Sequence, residues 1–505
     1  MRTNNAIKNI IVSLGMYLAL TVTSLFLRRL VLQQFDMELV AYDGLLSNVF
    51  SLIGIASLGA ENLFNYRIYQ AYAKGEQKQI NRVVSLYSAF YRLLACLVLG
   101  VCVVVFFLLP VIFSGKVQFW IPFYKMYGLY ALSALSSYLF AYWNVLLVAG
   151  QKEYVVTTVQ SSLQIAGQFV KVGILLATQN FLLYVACNNL ITVFSHLLVM
   201  ICAKKINPDI KLQPVHWNDF REEGLLREIR DVFFIKVTST IMYNIDNLLI
   251  TFLVSTKMVT YFSNYTLIAA YVMQAICKLI WPLRGVIADL VYKEEQDSVY
   301  RIYRTMDLGW FFASSLLFVC YAVVFQPAIA VLFGKQFLLP YSFVLMFSLQ
   351  YYVNMKYQVV GQFRGALGDY SVDRKYTIIG AIVNLFLSIV LGKLWGLSGI
   401  VLGTVVALLS FWHSYLLLVN KNKFGQSLLR SWLRESGFFL LACGELAIAW
   451  FFTRKIPYTF TGMILCGIIG ITVPTTINLI VFYRTPEFQD ILGRSKRIFQ
   501  RKKLP

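Results

Sequence analysis

The side chains most able to do chemistry in this chain are charged residues set inside long apolar runs. Seven are cations: Arg92, Lys171, Lys236, Lys278, Arg284, Lys356 and Lys393. Four are acids: Glu61, Asp246, Asp307 and Glu445. A charge at the centre of a bilayer costs about 3 kcal/mol or more, so such residues face a cavity or an opposite charge. The cations outnumber the acids, and internal pairing cannot neutralise all of them. That surplus points to an anionic ligand or a wet, positively charged cavity, with Arg92, Lys171, Lys236, Lys278, Arg284 and Lys356 as its candidate lining. A blander account stands beside this one. Lys278, Arg284 and Lys393 lie toward the ends of their runs, where long stems can carry the charge to the interface. Lys171 and Lys356 lie deeper.

Among the acids, Asp246 is the most informative. It follows Lys236 by ten residues, near the middle of its run, between Asn244 and Asn247. It either faces a cavity and exchanges a proton or ion, or completes a structural ion pair. Glu61 and Asp307 join it as candidate coupling or gating residues, with H+ or Na+ as the possible coupling ion. Glu445 reads as structural. His196 and His413 could titrate, or could simply complete interhelical hydrogen bonds. No phosphate-binding glycine loop, HExxH, GxSxG or CxxC pattern occurs, so soluble-enzyme chemistry, a bound cofactor and a metal site have no support. The eight cysteines all fall in apolar runs and read as small buried hydrophobes.

The elements that must carry these residues are membrane helices. Of 505 residues, 58% are hydrophobic and 14% charged, against roughly 25% charged in soluble domains. A crossing helix needs about 20 apolar residues. Such runs fall at 10–27, 44–64, 85–113, 127–149, 155–178, 181–203, 232–254, 261–288, 305–333, 340–360, 377–394, 398–419, 436–452 and 459–482. The chain is therefore expected to be an all-α integral membrane protein with about fourteen transmembrane helices. The short links Gln179-Asn180 and Trp395-Leu397 are the places where two helices could be one. With the N-terminus in the cytoplasm, about 30 Lys and Arg fall in inward connections and about 8 in outward ones. This is the positive-inside pattern. It places both termini in the cytoplasm and explains the net charge of +21 without nucleic acid. The longest outward connection, about 28–43, is too short for a catalytic domain.

The expected organisation is a first lobe over 1–203, a cytoplasmic linker over 204–231, a second lobe over 232–419, two further helices over 420–482 and a basic tail over 483–505. The linker's stretch from Trp217 to Arg230 is amphipathic and suits a membrane surface. Weak internal matches support two six-helix repeats. Gly150-Gln151-Lys152-Glu153-Tyr154, with Thr157 and Gln164, parallels Gly368-Asp369-Tyr370, with Thr377 and Asn384. Tyr72 through Glu76-Gln77 to Arg82 parallels Tyr292 through Glu295-Gln296 to Arg301, and His196 and His413 each precede a lysine by eight residues.

With these features, the chain resembles the multidrug/oligosaccharidyl-lipid/polysaccharide exporter superfamily. Within it, the chain is most similar to bacterial polysaccharide flippases of the Wzx type. The resembling residues are Tyr243-Asn-Ile-Asp246-Asn-Leu-Leu-Ile250 with Val259-Thr-Tyr261-Phe-Ser-Asn264-Tyr265. They continue in Arg364-Gly-Ala-Leu-Gly368-Asp369-Tyr370, Asn384, and Gly396-Leu-Ser-Gly399-Ile-Val-Leu-Gly403-Thr404. The motifs are short and degenerate, although the layout covers about 480 residues.

The resemblance implies two lobes around a central cavity and alternating access. It also implies a substrate, an undecaprenyl-pyrophosphate-linked oligosaccharide moved from the inner to the outer leaflet of a bacterial cytoplasmic membrane, for capsule, exopolysaccharide or O-antigen assembly. Cavity cations would replace the hydration of its pyrophosphate. Membrane lipids and polysaccharide polymerase machinery are the implied partners. A cation-drug exporter of the same superfamily would be expected to carry an acid surplus, which is not found. A membrane polymerase or glycosyltransferase would carry a large outer loop, which is also absent.

Overall fold

In the computed structural model, the described residues are 20–53, 77–112, 121–149, 152–216, 245–280, 295–366 and 370–501, together with 68, 219 and 287. Among them there is no strand, and the helices satisfy within themselves the backbone hydrogen bonds that lipid cannot. The chain forms two compact units, Met1–Thr260 and Tyr261–Pro505. The division falls later than the expected 204–231 linker, so the segment around Asp246 clusters with the first unit.

In the first unit, α1 covers residues 20–34. It is followed by α2 (Met37–Ile53), α3 (Gln77–Ile112), α4 (Ile121–Ala149), α5 (Glu153–Thr178), α6 (Phe181–Ile206) and α7 (Asp246–Leu253). The outward connection expected over 28–43 is mostly helix: α1 runs to residue 34 and α2 begins at Met37. Arg28 and Asp43, placed in a loop by hydropathy, are thereby helical. The short link at 179–180 is a true break. Gln179 takes a left-handed φ of 47°, and the Asn180 side chain accepts from the Leu183 backbone N–H at 3.2 Å, capping α6. The core is aromatic: Tyr87, Tyr138 and Phe123 are fully buried, and Tyr127 Oη donates to the Cys102 carbonyl at 2.7 Å. The first part of the expected linker is strapped to the start of α3. Lys211 N–H donates to Asn81 Oδ1 at 3.3 Å, and Gln213 N–H to Ser85 Oγ at 2.8 Å. The amphipathic stretch from Trp217 to Arg230 lies outside the described residues except for Asp219.

Helix α8 (Thr256–Ile280) leads into the second unit, which holds α9 (Gln296–Leu332), α10 (Tyr341–Ala366), α11 (Tyr370–Leu416), α12 (Leu428–Thr453), α13 (Phe460–Phe482) and α14 (Pro486–Arg501). A π-helical turn over Leu417–Lys423 follows α11. The tail expected from residue 483 onward is thus helical through Arg501, and it docks on the start of α9: Arg304 pairs with Glu487 at 2.6 Å and Thr305 donates to Asp490 at 3.0 Å. Six described helices are long and apolar enough to cross a membrane: Gln77–Val111, Phe181–Ile206, Gln296–Leu332, Ile378–Lys423, Leu428–Thr453 and Phe460–Phe482. The expected spans 10–27, 44–64 and 232–254 lie partly outside the described residues.

Helix α11 is two helices joined at Gly396, whose φ of 60° and ψ of −135° belong to glycine alone. The two expected spans, 377–394 and 398–419, are its arms, and they fold back on each other as a hairpin. Asn384 Nδ2 donates to Thr404 Oγ1 at 3.1 Å, and Ser388 Oγ to the Ile400 carbonyl at 3.1 Å. A Cβ on Gly399 would overlap the Leu391 carbonyl, and one on Gly403 would meet Ser388 N and Oγ at 2.5 Å. Small residues and interhelical hydrogen bonds replace the hydrophobic effect as the packing force in lipid. Alanine at Gly399 or Gly403 should therefore lower the thermal unfolding midpoint in detergent. Alanine at Gly173, where a Cβ would meet nothing within 4 Å, should not. Alanine at Gly396 should cost about 1–3 kcal/mol through backbone strain alone.

Candidate functional site

The second unit gathers its buried charges into one cluster. Lys356 on α10 is fully buried. Its Nζ donates to Asp307 Oδ1 on α9 at 2.5 Å and pairs with Glu435 Oε2 on α12 at 3.0 Å. Arg434 pairs with the other oxygen of Asp307 and stands 3.5 Å from Glu435 Oε1. The Phe438 ring floors the site, 4.6 Å from Lys356 Nζ and 5.8 Å from the Arg434 guanidinium. Two cations and two carboxylates cancel.

Chemically, the cluster is a four-charge lock across three helices. Removing water from each ion costs several kcal/mol, and only close pairing offsets it. Lys356 and Asp307, singled out separately as cavity cation and coupling acid, are brought together here as partners. Arg434 and Glu435 were missed because hydropathy started their helix at 436, whereas α12 begins at Leu428. A signal was available: Arg434-Glu435 directly abuts the apolar run that starts at 436.

The first unit holds a looser cluster. Lys171 on α5 is buried, donates to Asn188 Oδ1 at 3.0 Å and lies 5.9 Å from the Tyr184 ring centre. Asp43 on α2 accepts from Tyr130 Oη at 2.7 Å and interacts electrostatically with both Arg28 and Lys171. Asp43 thus lies within electrostatic reach of two cations on two other helices.

Arg92 is exposed and donates to Ser88 Oγ, one turn back on α3, at 3.0 Å. Asp246 is 7% exposed and opens α7, in the first turn where the helix dipole favours a negative charge. Residues 232–244 of its expected span lie outside the described residues. Lys278 lies on α8, with its side chain outside the described residues. Glu61, Lys236 and Arg284 also lie outside them. Both helix-borne histidines complete interhelical hydrogen bonds. Ser136 Oγ is 2.9 Å from His196 Nδ1, and Trp432 Nε1 donates to His413 Nδ1 at 3.1 Å. Among the described residues, no cluster of His, Cys, Asp and Glu could hold a metal ion.

Replacing Lys356 with alanine would leave Asp307 and Glu435 with Arg434 alone, a loss expected to cost about 3–5 kcal/mol. Thermal unfolding of the detergent-solubilised protein checks this. Lys171→Ala, which removes one hydrogen bond to a neutral amide, should fall well short of that loss.

No family model matches the chain, and no curated protein matches it in sequence. Solved structures do match in fold. The lipid II flippase MurJ, in an inward closed conformation, is 15% identical, with a TM-score of 0.68 over 94% of this chain and 99% of that one. An inward-facing multidrug resistance MATE family transporter of the MOP superfamily is 14% identical, with a TM-score of 0.57 over 81% and 96%. An outward-facing transporter of the same description is 15% identical, with a TM-score of 0.53 over 83% and 95%. The chain has the multi-pass membrane fold that these proteins share.

Proposed function

We propose that this chain is a flippase. It would carry an undecaprenyl-pyrophosphate-linked oligosaccharide repeat unit from the inner to the outer leaflet of a bacterial cytoplasmic membrane, with both termini in the cytoplasm, in capsular polysaccharide, exopolysaccharide or O-antigen assembly. It is a transporter rather than an enzyme, working by alternating access under an H+ or Na+ gradient, with membrane lipids and a polysaccharide polymerase as partners.

The observation that carries this reading is the extent of the fold match. The lipid II flippase fold accounts for 94% of the chain, the MATE folds for 81% and 83%. A lipid-linked pyrophosphate needs positive charge along its route, because its own charge cannot enter hydrocarbon. Lys171, buried on α5, is one candidate contact. Arg92, Lys236, Lys278 and Arg284 remain as further candidate contacts, and Glu61 and Asp246 as candidate coupling residues. Lys356 and Asp307, neutralised within their cluster, act in this reading as scaffold rather than as ligands.

The test is a proteoliposome assay with a lipid-pyrophosphate oligosaccharide inside and a sugar-modifying enzyme outside. Protein-dependent, gradient-sensitive exposure of the sugar is expected. Alanine at Lys236, Asp246 or Arg284 should abolish exposure while membrane insertion stays intact, and full activity in all three would overturn the assignment of those residues. Efflux of a small cationic compound with no sugar exposure would overturn the flippase reading in favour of a drug exporter.

A further inference from the structure

A second buried acid of the second unit stands apart from the four-charge cluster. Glu445 lies ten residues beyond Glu435 on α12 and is 1% exposed. The polar side chains that approach it are Ser315 on α9 and Asn478 on α13. Both are buried, at 0% and 1% exposure. Neither carboxyl oxygen of Glu445 accepts a hydrogen bond of good geometry, and Asn478 Oδ1 is likewise without a donor. Asn478 Nδ2 is already committed to Ser315 Oγ at 2.9 Å, and Ser315 Oγ donates to the Phe312 carbonyl at 3.3 Å. The site therefore holds orphan acceptors with no spare donor, an arrangement that a buried setting penalises.

No counter-charge is at hand among the described residues. Helix α13 contains no Lys, Arg, His, Asp or Glu, and its ionisable group is Cys466. On α9 the charges Asp297, Arg301, Arg304 and Asp307 lie at least two turns from Ser315, and Cys320 and Tyr321 are the ionisable groups beyond it. Within α12, Arg434 and Glu435 belong to the cluster, and Cys443 is the near neighbour. From α10, Tyr352 is within electrostatic reach of Glu445 and of Asp307 and Glu435. Lys421 and Lys423 of the π-helical turn are exposed. Among the described residues, no Lys or Arg pairs with Glu445.

We infer that Ser315, Glu445 and Asn478 form an intramembrane proton-binding site, at which Glu445 holds a proton and releases it during the transport cycle. One proton removes the buried charge and adds the missing donor. The acid becomes neutral, and its O–H supplies the donor that Asn478 Oδ1 lacks. A hard metal cation gathers about six or more oxygens, which exceeds what these three side chains offer. The release step rests on the transporter reading above, whereas occupancy by a proton does not.

Infrared difference spectroscopy of the purified protein in vesicles tests occupancy. The wild type minus Glu445→Gln spectrum should show a protonated-carboxyl carbonyl band that shifts in heavy water. Asn478→Leu, which removes the acceptor, should move that band to higher frequency. A carboxylate signature in its place would overturn the site. A carboxyl band that appears only when sodium is withdrawn would overturn the proton assignment in favour of a cation. In the proteoliposome assay, Glu445→Gln should lose acceleration by a pH gradient, and a full gradient response would overturn the release step. If the wild type moves no lipid-linked substrate, the flippase reading fails while the infrared band still decides the site.

Discussion

An ion removed from water must meet an opposite charge, and much of the second unit is arranged around that constraint. Lys356, Asp307, Arg434 and Glu435 come from three helices, and none of the four is satisfied without the others. The cluster therefore sets the register of α9, α10 and α12 together, since sliding any one by a turn would strand a buried charge. Phe438, one turn beyond Arg434, closes the site with a ring face toward both cations. Two turns or fewer toward the start of α9, Arg304 and Thr305 hold the acidic first turns of α14. One end of the bundle is thus fastened by polar contacts, while its apolar flanks are left for lipid.

Those flanks are visible as exposed large hydrophobics. Phe107 and Val111 on α3, Leu440 on α12 and Ile480 on α13 are all at least 70% exposed. In water such a surface would be an aggregation hazard, and against acyl chains it is the expected solvent contact. With lipid outside and apolar side chains inside, hydrophobic burial cannot discriminate between packings. Close approach and hydrogen bonding must do so instead. The α11 hairpin shows this most clearly: Gly399 and Gly403 let the arms touch, and Asn384, Ser388 and Thr404 join them. The residues of that motif that suggest a family likeness are also the ones that hold the hairpin closed.

The two units differ in electrostatic character. The second unit balances its cluster of four and leaves Glu445 isolated beside two neutral polar side chains. In the first unit Arg28 and Lys171 lie within electrostatic reach of Asp43, which accepts from Tyr130, while Lys171 donates to Asn188.

Hydropathy by itself determined that the chain is helical and membrane-embedded, and it located helices such as 155–178 and 181–203 nearly to the residue. Apolar length is a property of a single segment and needs no knowledge of neighbours. The breaks at Gln179-Asn180 and Gly396 were also legible as short links, because a left-handed turn or a glycine leaves a local trace. Helix ends rich in charge were not legible. Arg434 and Glu435 looked like loop residues, and Arg28 and Asp43 like an outer connection, because a charge lowers hydropathy whether or not a partner waits across the interface. Only the tertiary structure decided that Lys356 meets Asp307 and Glu435, while Glu445 meets no cation. Pairing depends on the register of three separate helices, and no spacing within one helix encodes it.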